Sequence, residues 1–101
     1  MLPNLTPEQL QANASQAAAM LKMLSNENRL MILCALQMQE LSVGELNAQV
    51  PLSQSALSQH LAALREAQLV DTRKDAQKVY YRLKGDAARK IIAVLQSIYC
   101  P

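Results

Sequence analysis

At 101 residues, half of them hydrophobic, the chain is long enough for one small domain with one core. Two Gly, four Pro and no low-complexity run exclude a disordered or fibrous chain. The net charge of +2 hides an asymmetry: residues 65–90 carry eight Lys and Arg against four Asp and Glu, and the rest of the chain sums to −2. A basic segment of that kind faces an anionic partner, although a charge run alone is more often a solvated surface. The start, MLPNLTPEQL, lacks the basic and long apolar regions of a signal peptide, and no apolar run approaches the ~18 residues of a membrane span. The expected location is therefore the cytoplasm. Cys34 and Cys100 are the only cysteines. In a reducing compartment they are not a standing disulfide but buried thiols, ligands or redox groups.

Thr6-Pro7-Glu8-Gln9 reads as a helix start, with Thr6 as cap, Pro7 at the first helical position and Gln9 completing a capping box. Leu10, Ala14, Ala17, Leu21 and Leu24 follow at helical spacing, widened by Ala18, Met20 and Met23. An apolar face that wide on a terminal helix is expected to pack beyond its own small core. Ser25 or Asn26 opens a second helix, in which LMILCAL (Leu30–Leu36) is apolar all round and expected to be deeply buried. Ser42-Val43-Gly44-Glu45 is another capping box, opening a short helix to about Gln49. After the turn Pro51-Leu52-Ser53, a fourth helix runs from about Gln54 to Ala67. The period then changes: Leu69–Asp75 and Lys78–Leu83 are two short strands joined around Ala76-Gln77. Gly85-Asp86 starts a last helix with an apolar stripe of Ile91, Val94, Leu95 and Ile98, broadened by Ile92 and Tyr99.

The predicted fold is mainly α with a β-hairpin wing, in the order ααααββα: a winged helix-turn-helix forming a single domain over residues 1–101. On the fourth helix, Leu57, Leu61 and Leu64 face the core, leaving Gln54, Ser55, Ser58 and Gln59 on the other side near the helix N-terminus. Gln bonds adenine bidentately, Ser bonds bases or phosphate, and the helix N-terminus itself favours phosphate. Taken alone, this helix is equally well an ordinary polar-faced one. The basic hairpin tips the balance, with Arg73, Lys74 and Lys78 at its tip placed for phosphates or the minor groove. Gln77 either reads the groove or makes the turn. His60, on the flank of the leucine stripe, is read as structural; of Tyr80 and Tyr81, one is expected to pack inward.

Residues 28–33 (NRLMIL), 40–46 (ELSVGEL) and 52–61 (LSQSALSQHL) resemble the ArsR/SmtB family of winged-helix repressors, over about Lys22 to Leu83. The resemblance implies a homodimer built from the first and last helices, binding to an imperfect inverted repeat in promoter DNA, and release by an inducer. It makes Gln54, Ser55, Ser58 and Gln59 the expected DNA contacts. Many members sense metals through a Cys-x-Cys pair in the third helix, but Ser42 and Gly44 stand there and cannot replace two thiolates. A second common metal site needs His on the last helix, which has none, so no metal and no cofactor is expected. Cys34 and Cys100 instead resemble the paired cysteines of the persulfide-sensing branch, in which an organic persulfide or polysulfide links the two thiols and weakens promoter binding. Two rivals stay open: a repressor of this fold induced by a metal or another oxidant, and a protein-interaction module without specific DNA binding. No Cys-x-x-Cys motif or catalytic constellation points to an enzyme.

Overall fold

The computed structural model describes residues 5–100, so Met1–Asn4 of the segment read above for a signal peptide, and Pro101, lie outside the described residues. Five helices and three strands follow one another as α1 (Pro7–Leu24), α2 (Glu27–Leu36), β1 (Leu41–Ser42), α3 (Val43–Gln49), α4 (Gln54–Glu66), β2 (Val70–Asp75), β3 (Lys78–Leu83) and α5 (Ala87–Tyr99). The helix-rich winged architecture read from the sequence is present, with one addition. The two-residue β1 pairs with β3, Leu41 opposite Tyr81 and Ser42 opposite Tyr80, so the hairpin becomes a three-stranded antiparallel sheet of order β1-β3-β2.

Local signals set the helix starts. Thr6 and Gln9 exchange both bonds of a capping box before α1, and Ser42 and Glu45 do the same before α3. Asn26 accepts the N–H groups of Asn28 and Arg29 at 3.0 Å and starts α2. Arg29 then reaches back: its Nε donates to the Met23 carbonyl at 2.6 Å, satisfying a free carbonyl at the end of α1. This ties α1 to α2 at a fixed corner. The turn between α3 and α4 is stapled by Asn47, whose side-chain amide donates to the Leu52 carbonyl at 2.7 Å.

The core runs through the middle of the chain: Ile32, Leu33 and Leu36 of α2, Leu46, Val50, the leucines of α4, Leu69, Val70 and Leu83 of the sheet, and Ala88 and Ile92 of α5. Tyr81 packs on it while Tyr80 stays under the wing, so the two tyrosines divide as their alternation requires. The expectation that LMILCAL is deeply buried all round needs correction. Met31 is 37% exposed, and Leu30, Cys34 and Ala35 are only half-buried, although α1, α3, α4, α5 and β3 all pack against the helix. Two faces are left open on this chain. Only Leu24 of α1 is fully buried, with Leu10 and Leu21 in solvent, and α5 leaves Val94, Ile98 and Tyr99 exposed.

Candidate nucleic-acid interface and cysteine pocket

The candidate reading head is built from α4. Leu57, Leu61 and Leu64 are fully buried, which fixes the helix's rotation and leaves Gln54, Ser55, Ser58 and Gln59 all exposed on the other side. Ser53 caps the helix by accepting the Ala56 N–H at 3.2 Å, and its hydroxyl lies 3.3 Å from that of Ser55. The first-turn N–H groups and four short polar side chains thus share one open surface, with no acidic residue in the first turn to repel phosphate. His60 is half-buried beside the leucine stripe.

The wing carries its cations unevenly. The tip is Ala76-Gln77, with Asp75 paired to Lys78 and Lys74 to Val79, and Lys74, Gln77 and Lys78 are all exposed there. Arg73 does not belong to the tip. It stands opposite Tyr80, its guanidinium 4.9 Å from the ring centroid, and its Nε bonds both oxygens of Glu40 at 3.0 and 3.2 Å. Glu40 also approaches Arg82 at 3.6 Å, and Arg82 pairs with Asp71 at 3.5 Å. So two of the basic residues counted in the sequence are neutralised along the flank of the sheet, and the positive charge at the wing tip is that of Lys74 and Lys78, beside Asp75, which reaches back to Arg73 at 3.8 Å. Glu40 lies 33 residues from Arg73, and nothing in the sequence paired them.

Cys34 on α2 and Cys100 at the end of α5 come together. Both line an apolar cavity of about 190 Å³ with Leu30, Ile92, Leu95, Gln96 and Tyr99. Cys34 is half-buried and Cys100 exposed, and both are free thiols. Burial pushes the Cys34 thiol above its ordinary value and the neighbouring Cys100 adds to the rise, while a hydrogen bond from the Gln96 side chain works against it. Gln96 also accepts the Cys100 N–H on its carbonyl at 2.7 Å, so one residue touches both cysteines. Sequence reasoning missed Gln96; its only signal is that it sits one helical turn before Cys100. At the two positions where the family resemblance looks for a thiolate pair, the Ser42 hydroxyl accepts the Glu45 N–H and Gly44 has no side chain. Among the described residues no three His, Cys, Asp or Glu side chains gather as metal ligands. The residues at this place do not fit a soft metal ion.

A capped, polar-faced helix after a stapled turn, followed by a basic hairpin, defines a winged helix-turn-helix DNA-binding protein. Residues 26–72 match the model of the arsR family of bacterial regulatory proteins. Over 93 residues the chain is 50% identical to the transcriptional activator HlyU of Vibrio cholerae, covering 92% of this chain and 86% of that protein. It is 44% identical over 91 residues to the biofilm growth-associated repressor of Agrobacterium fabrum, covering 90% of this chain and 78% of that one. The structure of reduced V. cholerae HlyU superposes with a TM-score of 0.88 at 49% identity, over 93% of this chain and 99% of that one. A homodimeric winged helix-turn-helix DNA-binding domain of Mycobacterium bovis superposes with a TM-score of 0.79 at 26% identity, over 97% and 90% of the two chains. The chain belongs to the arsR family and is a DNA-binding transcriptional regulator. Among the described residues no helix is long and apolar enough to cross a membrane.

Proposed function

We propose that the protein is a homodimeric repressor that leaves its promoter when reactive sulfur bridges Cys34 to Cys100. The observation that carries this reading is the cavity between α2 and α5, lined by both cysteines although they lie far apart in the chain. The exposed apolar faces of α1 and α5 support dimerisation through those helices, as does the homodimeric relative. Each protomer presents Gln54, Ser55, Ser58 and Gln59 to base edges in the major groove, and Lys74, Gln77 and Lys78 to the flanking backbone or minor groove. Arg73 joins them only by exchanging Glu40 for a phosphate.

The chemistry begins at the exposed thiol. The Cys100 thiolate attacks the outer sulfur of an organic persulfide R–S–SH, breaking its S–S bond, and RSH leaves with the proton that Cys100 gave up. Cys100 now carries –S–SH. The Cys34 thiolate attacks the inner sulfur of that group, forming the Cys34–Cys100 disulfide and releasing hydrosulfide. Two thiols are oxidised and one sulfane sulfur is reduced to sulfide, with no further oxidant. If a second persulfide molecule has converted Cys34 to –S–SH as well, its terminal sulfur attacks the inner sulfur of the Cys100 persulfide and hydrosulfide leaves, giving a trisulfide whose extra bond of ~2 Å spans a wider gap than a disulfide. Because the Cys34 pKa is raised, its step speeds up as pH rises and continues to do so beyond the usual thiol range. The bridge pins the end of α5 to α2, and α5 is part of the dimer face. The spacing of two reading heads that must reach grooves ~34 Å apart then changes, with an expected loss of ~5–150-fold in affinity.

The test is a promoter-DNA titration of reduced against persulfide-treated protein, with intact mass read on the same samples. Cys34→Ser and Cys100→Ser proteins are expected to bind DNA equally well with and without persulfide. Release of a Cys34→Ser protein by persulfide would refute the bridge.

A further inference from the structure

Among the described residues no charged side chain lines the cavity between α2 and α5: its wall is Leu30, Ile92, Leu95 and the Tyr99 ring, with Gln96 and the two cysteines. Its volume of about 190 Å³ is below the ~300–1,000 Å³ of sites that enclose drug-sized ligands. It exceeds the ~150 Å³ at which an apolar cavity accepts a benzene-sized guest. A tripeptide thiol is therefore too large to be enclosed by it, and among the described residues no cation lines it to meet the carboxylates. Ile92, Leu95, Gln96 and Tyr99 repeat at i, i+3, i+4 and i+7 on the side facing α2, and the exposed Val94 and Ile98 form the adjoining strip of the helix surface.

We propose that the sulfur donor this site selects is an uncharged, apolar organic polysulfide rather than a charged, peptide-borne persulfide or polysulfide. This rests on the reading above that Cys34 and Cys100 are the sensing pair. The Cys100 thiolate attacks an outer sulfur of R–S–S–S–R, forming Cys100–S–S–R and expelling R–S–S⁻. The Cys34 thiolate then attacks the Cys100 sulfur, closing the disulfide and expelling R–S⁻. The two thiol protons end on the two leaving groups, so two thiols and one trisulfide give one disulfide, one thiol and one persulfide. The persulfide is the better leaving group of the two, which favours attack at the outer sulfur. The apolar R group rests against Leu30, Ile92 and Leu95 while this happens. Each methylene withdrawn from water is worth roughly a fourfold preference, so two or three of them give more than tenfold.

Diallyl trisulfide and glutathione trisulfide carry the same three-sulfur chain on apolar and on charged arms. Reduced full-length protein is treated with each, and bridging is followed by intact mass as the loss of two hydrogens. Each rate is divided by that for a small uncharged thiol under the same conditions. The expected result is a corrected preference of about tenfold or more for the diallyl reagent. Tyr99→Lys, at a position 77% exposed and so harmless to folding, puts a cation on the rim and is expected to erase most of that preference. Equal corrected rates, or a preference untouched by Tyr99→Lys, overturn the proposal. The proposed function fails separately: if either reagent closes the bridge and promoter affinity does not fall, sensing is refuted whatever the selectivity.

Discussion

α4 and α5 are both 13-residue helices with one face in the same core, but their other faces differ. α4 buries Leu57, Leu61 and Leu64 and shows water Gln and Ser side chains; α5 buries Ala88 and Ile92 and shows water Val94 (58% exposed), Ile98 (59%) and Tyr99 (77%). A polar outer face costs nothing in solvent and is ready to meet the polar edges of DNA. An apolar outer face is a standing cost that a second protein surface removes. In our reading α4 is the surface for nucleic acid and α5 is the surface for a second copy. The cysteine pocket lies where α5 meets α2, on the flank between the buried and open faces of α5.

Substitutions can break or sharpen this contrast at five places. The largest effect belongs to the buried side of α4. Leu61→Ala opens a cavity in a fully buried position and is expected to cost ~2–5 kcal/mol in denaturant unfolding, enough to unfold much of a domain this small. The outer side of α5 behaves differently. Ile98→Glu leaves the core intact, so secondary structure is expected to persist, but a central apolar contact of the proposed dimer is lost. Sedimentation equilibrium is expected to show subunit dissociation at about 30-fold higher concentration or more, from ~2 kcal/mol at an interface anchor. A dimer unchanged by Ile98→Glu would move the interface off α5.

The outer side of α4 is expected to fail in recognition alone. Gln54→Ala removes a proposed base contact and is expected to cost ~1–3 kcal/mol against the best operator and to flatten the preference among operator variants. Lys78→Ala at the wing tip is expected to weaken all sequences alike and to reduce the salt dependence of log K by about one unit. Binding and competition titrations at two salt concentrations separate the two effects. If Lys78→Ala changes sequence preference instead, the wing reads bases.

Much of α4 and little of the pocket was legible in the sequence, for a physical reason. A helix announces itself locally: Ser53 as cap and leucines at i, i+4 and i+7 define both the α4 start and its buried face. The capping boxes at Thr6 and Ser42 do the same for α1 and α3. β1 has only two residues, too few to show a period, and its Ser42 doubles as the α3 cap. LMILCAL has no polar residue to mark an outer face, so the half-exposure of α2 around Cys34 was invisible. The Arg73–Glu40 and Cys34–Cys100 juxtapositions depend on how distant elements pack. Family resemblance pointed to the second; nothing pointed to the first.

The smallest expected effect lies in how the two helices begin. Ser53 caps α4 with a real hydrogen bond to the Ala56 N–H, whereas Asp86, at the same position of α5, makes no side-chain cap bond and has αR backbone angles. What Asp86 offers α5 is its charge near the helix N-terminus. Ser53→Ala therefore removes a directional bond and is expected to cost ~1 kcal/mol of stability, nearly independent of salt. Asp86→Asn removes only a charge–dipole attraction, expected to be ~0.3–1 kcal/mol at low ionic strength and to fade as salt screens it. Thermal melts of both proteins without DNA, at low and high salt, distinguish the cases. If the Asp86→Asn loss persists at high salt, Asp86 caps α5 by a bond after all, and the two helix starts are alike. A Ser53→Ala loss that vanishes with salt would mean that the reading head is held by its leucines, not by its cap.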